Sequence, residues 1–185
     1  MYKIILASKS PRRQELLKTI TEDFICIPSD AEEIVPDNID TEEVSTYLAT
    51  LIAKDIYSSN KDGIVLGCDT VVINDNKILG KPKDIEDAYN MIKSLSGKTH
   101  KVITGCCIIY NEKEITFKSI TEVEFYQLSD DEINSYINTD EPYDKAGAYG
   151  IQGRGSLFVK SIKGDYFNVV GLPVANLSRK LKTIL

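Results

Sequence analysis

Four stretches of this sequence carry side chains that chemistry could use. The first is ASKSPRR, residues 7–13, with Ser8, Ser10, Arg12 and Arg13. Ser10 followed by Pro11 reads as a helix N-cap and first helical residue. Arg12 and Arg13 then fall in the first turn, where the helix dipole is positive and Asp or Glu are favoured. Two cations there are electrostatically misplaced unless an anion arrives from outside. The stretch is therefore either an anion cradle of hydroxyls and guanidinium groups or an exposed helix start with surface arginines.

The second is Asp69 of GCDT, set in the apolar, β-branched run IVLGCDTVVIN at 64–74. A carboxylate in a buried strand is costly unless it is hydrogen-bonded, paired or metal-bound. Asp69 reads as a general base, a magnesium ligand, or both; the alternative is a strand-end aspartate at the surface. The third is Glu32 and Glu33, in a loop that also holds Asp30. Clustered carboxylates bind Mg²⁺ through oxygen and usually leave it several waters, although an acidic loop taken alone is more often simply solvated. The fourth is EPYDKAGAYGIQGRG, residues 141–155. Its small residues let a backbone approach a ligand closely, and Gln152 offers the donor and acceptor that suit a base edge; the alternative is a flexible surface loop. Lys54 and Lys81, taken singly, read as surface lysines. His100, the only histidine, lies in a strand-like segment and reads as a structural imidazole.

Two tempting phosphate motifs fail. Gly97-Lys98-Thr99 ends like a P-loop, but Ile92 stands where its first glycine is required; Gly80-Lys81-Pro82 has Asp75 there and Pro82 in place of Ser or Thr. No GxGxxG supports a Rossmann dinucleotide site.

Alternating strands and helices must position these groups. Residues 3–7 and 24–27 read as strands on either side of a helix from Ser10 to about Ile20. Residues 41–57 form an amphipathic helix with Val44, Leu48, Leu51 and Ile52 on one face and Lys54 near its end. The strand over 64–74 is interrupted at Gly67, Cys68 and Asp69, and Asn74-Asp75-Asn76 turns into a short strand. IEDAYNMIKSL (85–95) is helical, and 101–110 and 114–126 are strands. Ser129 and Glu132 make a capping box for the next helix. A polar loop runs from Asp140 to about Gly155, followed by a strand over 156–162 and a helix over 172–185. Interleaved strands and helices imply an α/β fold with a mixed twisted sheet flanked by helices.

Composition narrows the classes. A chain of 185 residues suits one domain, here 1–185, with room for two lobes. The net charge of −6 lacks the basic face of a nucleic-acid binder, so an anionic ligand must be met by a local cationic cluster. No apolar run has the length of a membrane span, and the N-terminal IILA is too short for a signal-peptide core; a cytoplasmic protein is expected. Cys26, Cys68, Cys106 and Cys107 form no CxxC pair, so reduced and mostly buried thiols are expected rather than a zinc site.

Taken together, ASKSPRRQELL, the SDAEE loop, LATLIAKD, GCDTVV, GKP, LSGKTHKVITG and EPYDKAGAYGIQG resemble the Maf proteins, a family of nucleoside triphosphate pyrophosphatases, in family order from residue 7 to about 155. The resemblance implies an inosine-triphosphate-pyrophosphatase-like fold with a cleft between two lobes. It also implies hydrolysis of a nucleoside triphosphate to monophosphate and pyrophosphate with a divalent cation, Mg²⁺ or Mn²⁺. On the family pattern, Asp69 is catalytic, Ser8, Arg13, Glu33, Lys54 and Lys81 hold phosphate or metal, and Glu33 with Asp69 are the metal ligands. Arg12, Thr70 and Gln152 match the positions that select substrate and resemble the dTTP/UTP branch rather than the 7-methyl-GTP branch. The resemblance also implies a homodimer, with a septum-related regulator as the non-enzymatic alternative. Cys68 replaces a commoner alanine, and Glu32 stands where Asp is usual, leaving open which of Glu32 and Glu33 faces the metal.

Overall fold

The computed structural model describes residues 3–184. The chain divides into two compact units. One comprises Met1–Thr70, Thr104–Ser119 and Gly171–Leu185, the other Val71–Ile103 and Ile120–Val170. The strands pair in the order β2-β1-β3-β5-β6-β7, with β4 on β3, as defined below.

In the first unit, β1 (Ile4–Leu6) runs parallel to β2 (Phe24–Cys26) and to β3 (Ile64–Asn74), with Leu6 opposite Leu66. All three residues of β1 are buried, as a central parallel strand requires. Helix α1 (Pro11–Lys18) begins where the sequence places it: Ser10 Oγ accepts from Arg13 N, and Leu16 and Leu17 are buried. Helix α2 (Val44–Ser58) buries Val44, Leu48, Ala49, Ile52, Ala53 and Ile56, whereas Leu51 is only half-buried. It starts later than expected because Asp40 Oδ1 accepts from Glu42 N at 2.8 Å, holding residues 41–43 in a turn. Strand β5 (Thr99–Tyr110) and the start of β6 (Lys113–Phe125) follow, and α6 (Val174–Leu181) buries Leu177 and Leu181. The core gathers Ile5, Ala49, Ile52, Ala53, Val65 and Ile109 around the α2 face of the strands.

Two glycines set how close α2 comes. A Cβ on Gly67 would stand 2.2 Å from the Ala49 carbonyl oxygen, and one on Gly105 would stand 2.3 Å from Thr46 N. Neither separation admits a side chain, so these positions let helix backbone rest on strand backbone.

In the second unit, the end of β3 turns through Asp75 and Asn76, at φ 49° and 60°, into antiparallel β4 (Lys77–Leu79). Two consecutive left-handed residues are the signature of a tight hairpin turn. Helix α3 (Ile85–Leu95) is capped by Asp84, and α4 (Asp130–Ile137) by the expected Ser129–Glu132 box. Strand β7 (Val159–Lys163) pairs antiparallel with β6 across a register shift at Glu124/Phe125. Ile92, Leu95, Val123, Phe125, Ile133 and Phe158 are among the buried residues of this unit's core.

Several boundaries differ from expectation. Strand β3 runs through Gly67, Cys68 and Asp69 without a break, because β5 continues beside it past the end of β1: Cys68 meets Cys106 and Thr70 meets Thr104 there. The stretch 140–155 is largely ordered: it holds the 3-10 turns Ala146–Ala148 and Gly153–Phe158 and buries Gly147, Ala148, Tyr149, Ile151 and Gly155. That second turn takes Ser156–Phe158 from the expected strand. The short helix α5 (Tyr166–Val170) was not anticipated. The last helix covers less than 172–185, and Leu185, like residues 1 and 2, lies outside the described residues.

Candidate active site

The start of α1 is tied to two distant parts of the first unit. Ser8 is buried, and its Oγ accepts from Ser10 N at 3.1 Å. Arg13 then crosses to β3: Nη2 donates to Thr70 Oγ1 at 3.0 Å and Nε donates to the Gly171 carbonyl at 2.9 Å. Thr70 Oγ1 in turn shares a hydrogen bond of 2.9 Å with Thr104 Oγ1, which is fully buried. These contacts use two of the five N–H donors of the guanidinium. Arg13 thus reaches the expected selectivity residue Thr70. Arg12 is half-exposed.

Asp69 points the other way. Successive residues of a strand face opposite sides of a sheet, so Asp69 shares its face with Gly67 and Thr70 shares its face with Cys68. Cross-strand contacts fix the register: Cys68 Sγ lies 3.6 Å from Cys106 Sγ, and Thr70 meets Thr104. Asp69 therefore stands opposite Gly105, against which the first turn of α2 is packed. A helix N-terminus is a favourable neighbourhood for a carboxylate. Asp69 is half-buried, with Oδ2 closed off from solvent.

Further along α2, Lys54 is exposed and its Nζ lies 2.9 Å from Glu114 Oε2 on β6. Burial pushes the nearby Cys107 thiol up to about 12, with a Thr50 hydrogen bond acting against it. The loop carrying Glu33 is fastened to α2 next to Lys54: Ser29 Oγ donates to Asp55 Oδ2 at 2.6 Å and Asp30 N to the same oxygen at 3.3 Å. Glu32 and Glu33 are both exposed. Among the described residues no three His, Cys, Asp or Glu side chains converge as a metal cage. The expected donors, Asp69 and Glu33, are hard-oxygen ligands. They fit Mg²⁺ or Mn²⁺, which are commonly held by one or two carboxylates together with substrate phosphates.

Lys81 and Gln152 belong to the second unit, and both are exposed. Gly147 N donates to the Gly80 carbonyl at 3.0 Å, which joins the GKP stretch to the loop that carries Gln152. Gly147 adopts φ 70° and packs on Val72, so this junction needs glycine. His100 is buried in the same unit, with Nε2 2.7 Å from Tyr149 Oη and its ring edge-on to Phe125. Burial pushes its pKa down to about 4. It is a structural residue, as expected. All four cysteines are free thiols; Cys26 is exposed and the other three are buried. Among the described residues no helix is long and apolar enough to cross a membrane.

Three participants were not found from sequence. Thr104 is legible only once β3 and β5 are in register. Glu114 sits in an ordinary charged hairpin, and Gly171 acts through its carbonyl, which no residue type advertises.

A family model described as Maf-like protein matches residues 3–184. A dTTP/UTP pyrophosphatase of Bacillus cereus (strain ATCC 14579) is 49% identical over 182 residues, covering 98% of this chain and 95% of that protein. A dTTP/UTP pyrophosphatase of Carboxydothermus hydrogenoformans is 50% identical, covering 97% of each. Among solved structures, a HAM1 protein from Coxiella burnetii superposes with a TM-score of 0.57 at 14% identity, covering 99% of this chain and 100% of that one. The Staphylococcus aureus Ham1 protein gives 0.55 at 15% identity, with the same coverage. These two likenesses establish the mixed α/β fold and nothing finer.

Proposed function

The chain belongs to the Maf family, and on that premise we propose that it hydrolyses dTTP and UTP to the nucleoside monophosphate and pyrophosphate. The observation that carries this reading is near-half identity, over almost the whole chain, with proteins named for that activity.

Attack at the α-phosphorus needs a water, a group to take its proton, and countercharge for a strongly anionic triphosphate. In our reading Asp69 takes the proton or holds the cation. Its setting supports this: a carboxylate in mid-strand, half-buried beside a helix N-terminus. Arg13, Lys54 and Lys81 meet the phosphates, and Ser8 adds a hydroxyl. Asp69 and Glu33 would hold Mg²⁺ or Mn²⁺, which when bound neutralises phosphate charge and makes water more acidic. Arg12, Thr70 and Gln152 read the pyrimidine, whose carbonyls and N–H suit amide and guanidinium partners. The Arg13–Thr70 hydrogen bond supports a coupling between the phosphate and selectivity sets. Modified pyrimidine nucleotides belong to the proposed range, and a cytoplasmic homodimer is the proposed form.

Purified protein is assayed for pyrophosphate release from dTTP, UTP, CTP, GTP and 7-methyl-GTP, with Mg²⁺, Mn²⁺ or chelator. The expected outcome is cation-dependent turnover of dTTP and UTP. Turnover confined to 7-methyl-GTP, or tight nucleotide binding without turnover, overturns the reading. Sedimentation of the purified protein tests the homodimer.

A further inference from the structure

We propose that Glu141 is a positioning residue for Gln152 and, through it, a determinant of which nucleobase is accepted; the inference rests on the dTTP/UTP pyrophosphatase reading. Glu141 follows α4 and is half-buried. Three donors converge on its carboxylate. Tyr136 Oη and Gly155 N donate to Oε1 at 3.1 and 3.0 Å, and Arg154 N donates to Oε2 at 3.0 Å. Hydrogen bonds to an ionised acceptor are among the stronger ones available to a loop.

Every one of these contacts bears on the chain around Gln152. Arg154 and Gly155 lie just after it. Tyr136 also reaches the chain just before it, since its hydroxyl accepts from Gly150 N at 3.3 Å. The segment is thus gripped at 150 and again at 154–155. It closes on itself between those points: a Cβ on Gly155 would stand 2.3 Å from the Gly150 carbonyl oxygen. Gly153 adopts φ 72°, and a Cβ there would lie 2.9 Å from Glu141 Oε2, so glycine is what lets the carboxylate reach the backbone. The anchor is itself held, because Lys145 Nζ donates to the Glu141 carbonyl at 2.6 Å. Gln152 is left at the exposed tip in extended conformation, φ −92° and ψ 157°. A base-reading amide on a loop must be aimed by its supports, and misplacement weakens binding before it touches chemistry.

The test is a double-mutant cycle with Glu141→Gln and Gln152→Ala, assayed on dTTP, UTP and CTP. Glu141→Gln keeps size but replaces one acceptor oxygen with a donor that faces a backbone N–H. It is expected to raise KM for dTTP and UTP about tenfold, to change kcat less than about threefold, and to narrow discrimination against CTP. Added to Gln152→Ala, it is expected to change KM by less than about twofold, because the contact it aims is already gone. Full additivity, or a loss confined to kcat, overturns the inference while leaving the activity assigned. Should Glu141→Gln not fold, Tyr136→Phe removes one support at Gly150, and its KM and discrimination are expected to move in the same direction; wild-type values for both overturn the inference. A wild-type protein that releases no pyrophosphate from dTTP or UTP overturns the activity and the inference together.

Discussion

Arg13 donates from Nη2 to Thr70 Oγ1 at 3.0 Å, so the first turn of α1 is fastened to the middle of β3. The same side chain holds the Gly171 carbonyl just before α6. The two neighbouring arginines should therefore separate experimentally. Arg13→Ala removes two part-buried, charge-assisted hydrogen bonds and should destabilise by about 2–4 kcal/mol, with a fall in kcat/KM. Arg12→Ala should act mainly on the dTTP-to-CTP ratio. Urea unfolding beside substrate-panel kinetics reads both; unchanged stability in Arg13→Ala, or an unchanged dTTP-to-CTP ratio in Arg12→Ala, would refute the division.

Asp69→Asn should fold normally and lose activity. Replacing a carboxylate that takes a proton or holds a cation lowers kcat by about 10²–10⁴-fold. Circular dichroism and thermal unfolding establish the fold, and single-turnover pyrophosphate release measures the loss. Wild-type turnover in the folded variant would remove Asp69 from the chemistry.

The Lys54–Glu114 pair is more than half exposed on the lysine side. Exposed pairs contribute little to stability, typically under about 1 kcal/mol. Glu114→Gln should therefore leave the unfolding midpoint nearly unchanged. If Lys54 meets phosphate, removing its protein counter-ion should lower KM for dTTP, most visibly at low salt. A raised KM would show that Glu114 aims Lys54 rather than competing for it.

His100 should make the fold sensitive to acid. Its ring is held at about 4 in the folded chain against 6.5 when unfolded, so between those values the unfolded chain binds the extra proton. Stability contributed by the neutral ring is full above about pH 6.5 and falls as pH drops toward 4, by up to about 3 kcal/mol. The packing explains it: Nδ1 is buried without a hydrogen-bond acceptor, and Nε2 already meets Tyr149 Oη. Urea midpoints from pH 4 to 7 should slope more steeply for wild type than for His100→Gln. Parallel slopes would place the acid sensitivity elsewhere.

What could be read from the sequence was local. The Ser10 cap, the Ser129–Glu132 box and the Asp75-Asn76 turn are decided by neighbours in the chain, and each stands where residue type puts it. The periodicity of 85–95 gave α3 to the residue. Asp69 was visible because a carboxylate is out of place in an apolar strand. Pairings across long separations were not visible. Thr104 matters because β5 lies beside β3 in one register, and Gly171 because a backbone carbonyl faces Arg13. Whether the loop at 140–155 is fixed or flexible stays open in the sequence for a related reason. Its order comes from the Glu141 carboxylate and buried Tyr149, whereas its composition, rich in glycine and small residues, suggests freedom.

Strand β3 carries a constraint of parity. Asp69 and Thr70 are neighbours in sequence yet serve opposite sides of the sheet, and only even steps along a strand preserve a side. Inserting one residue between Ile64 and Cys68 would present the hydroxyl to α2 and the carboxylate to Arg13, exchanging the two without altering either. Inserting two would restore both. The arithmetic of strand length is in that sense as much a part of this site as its side chains.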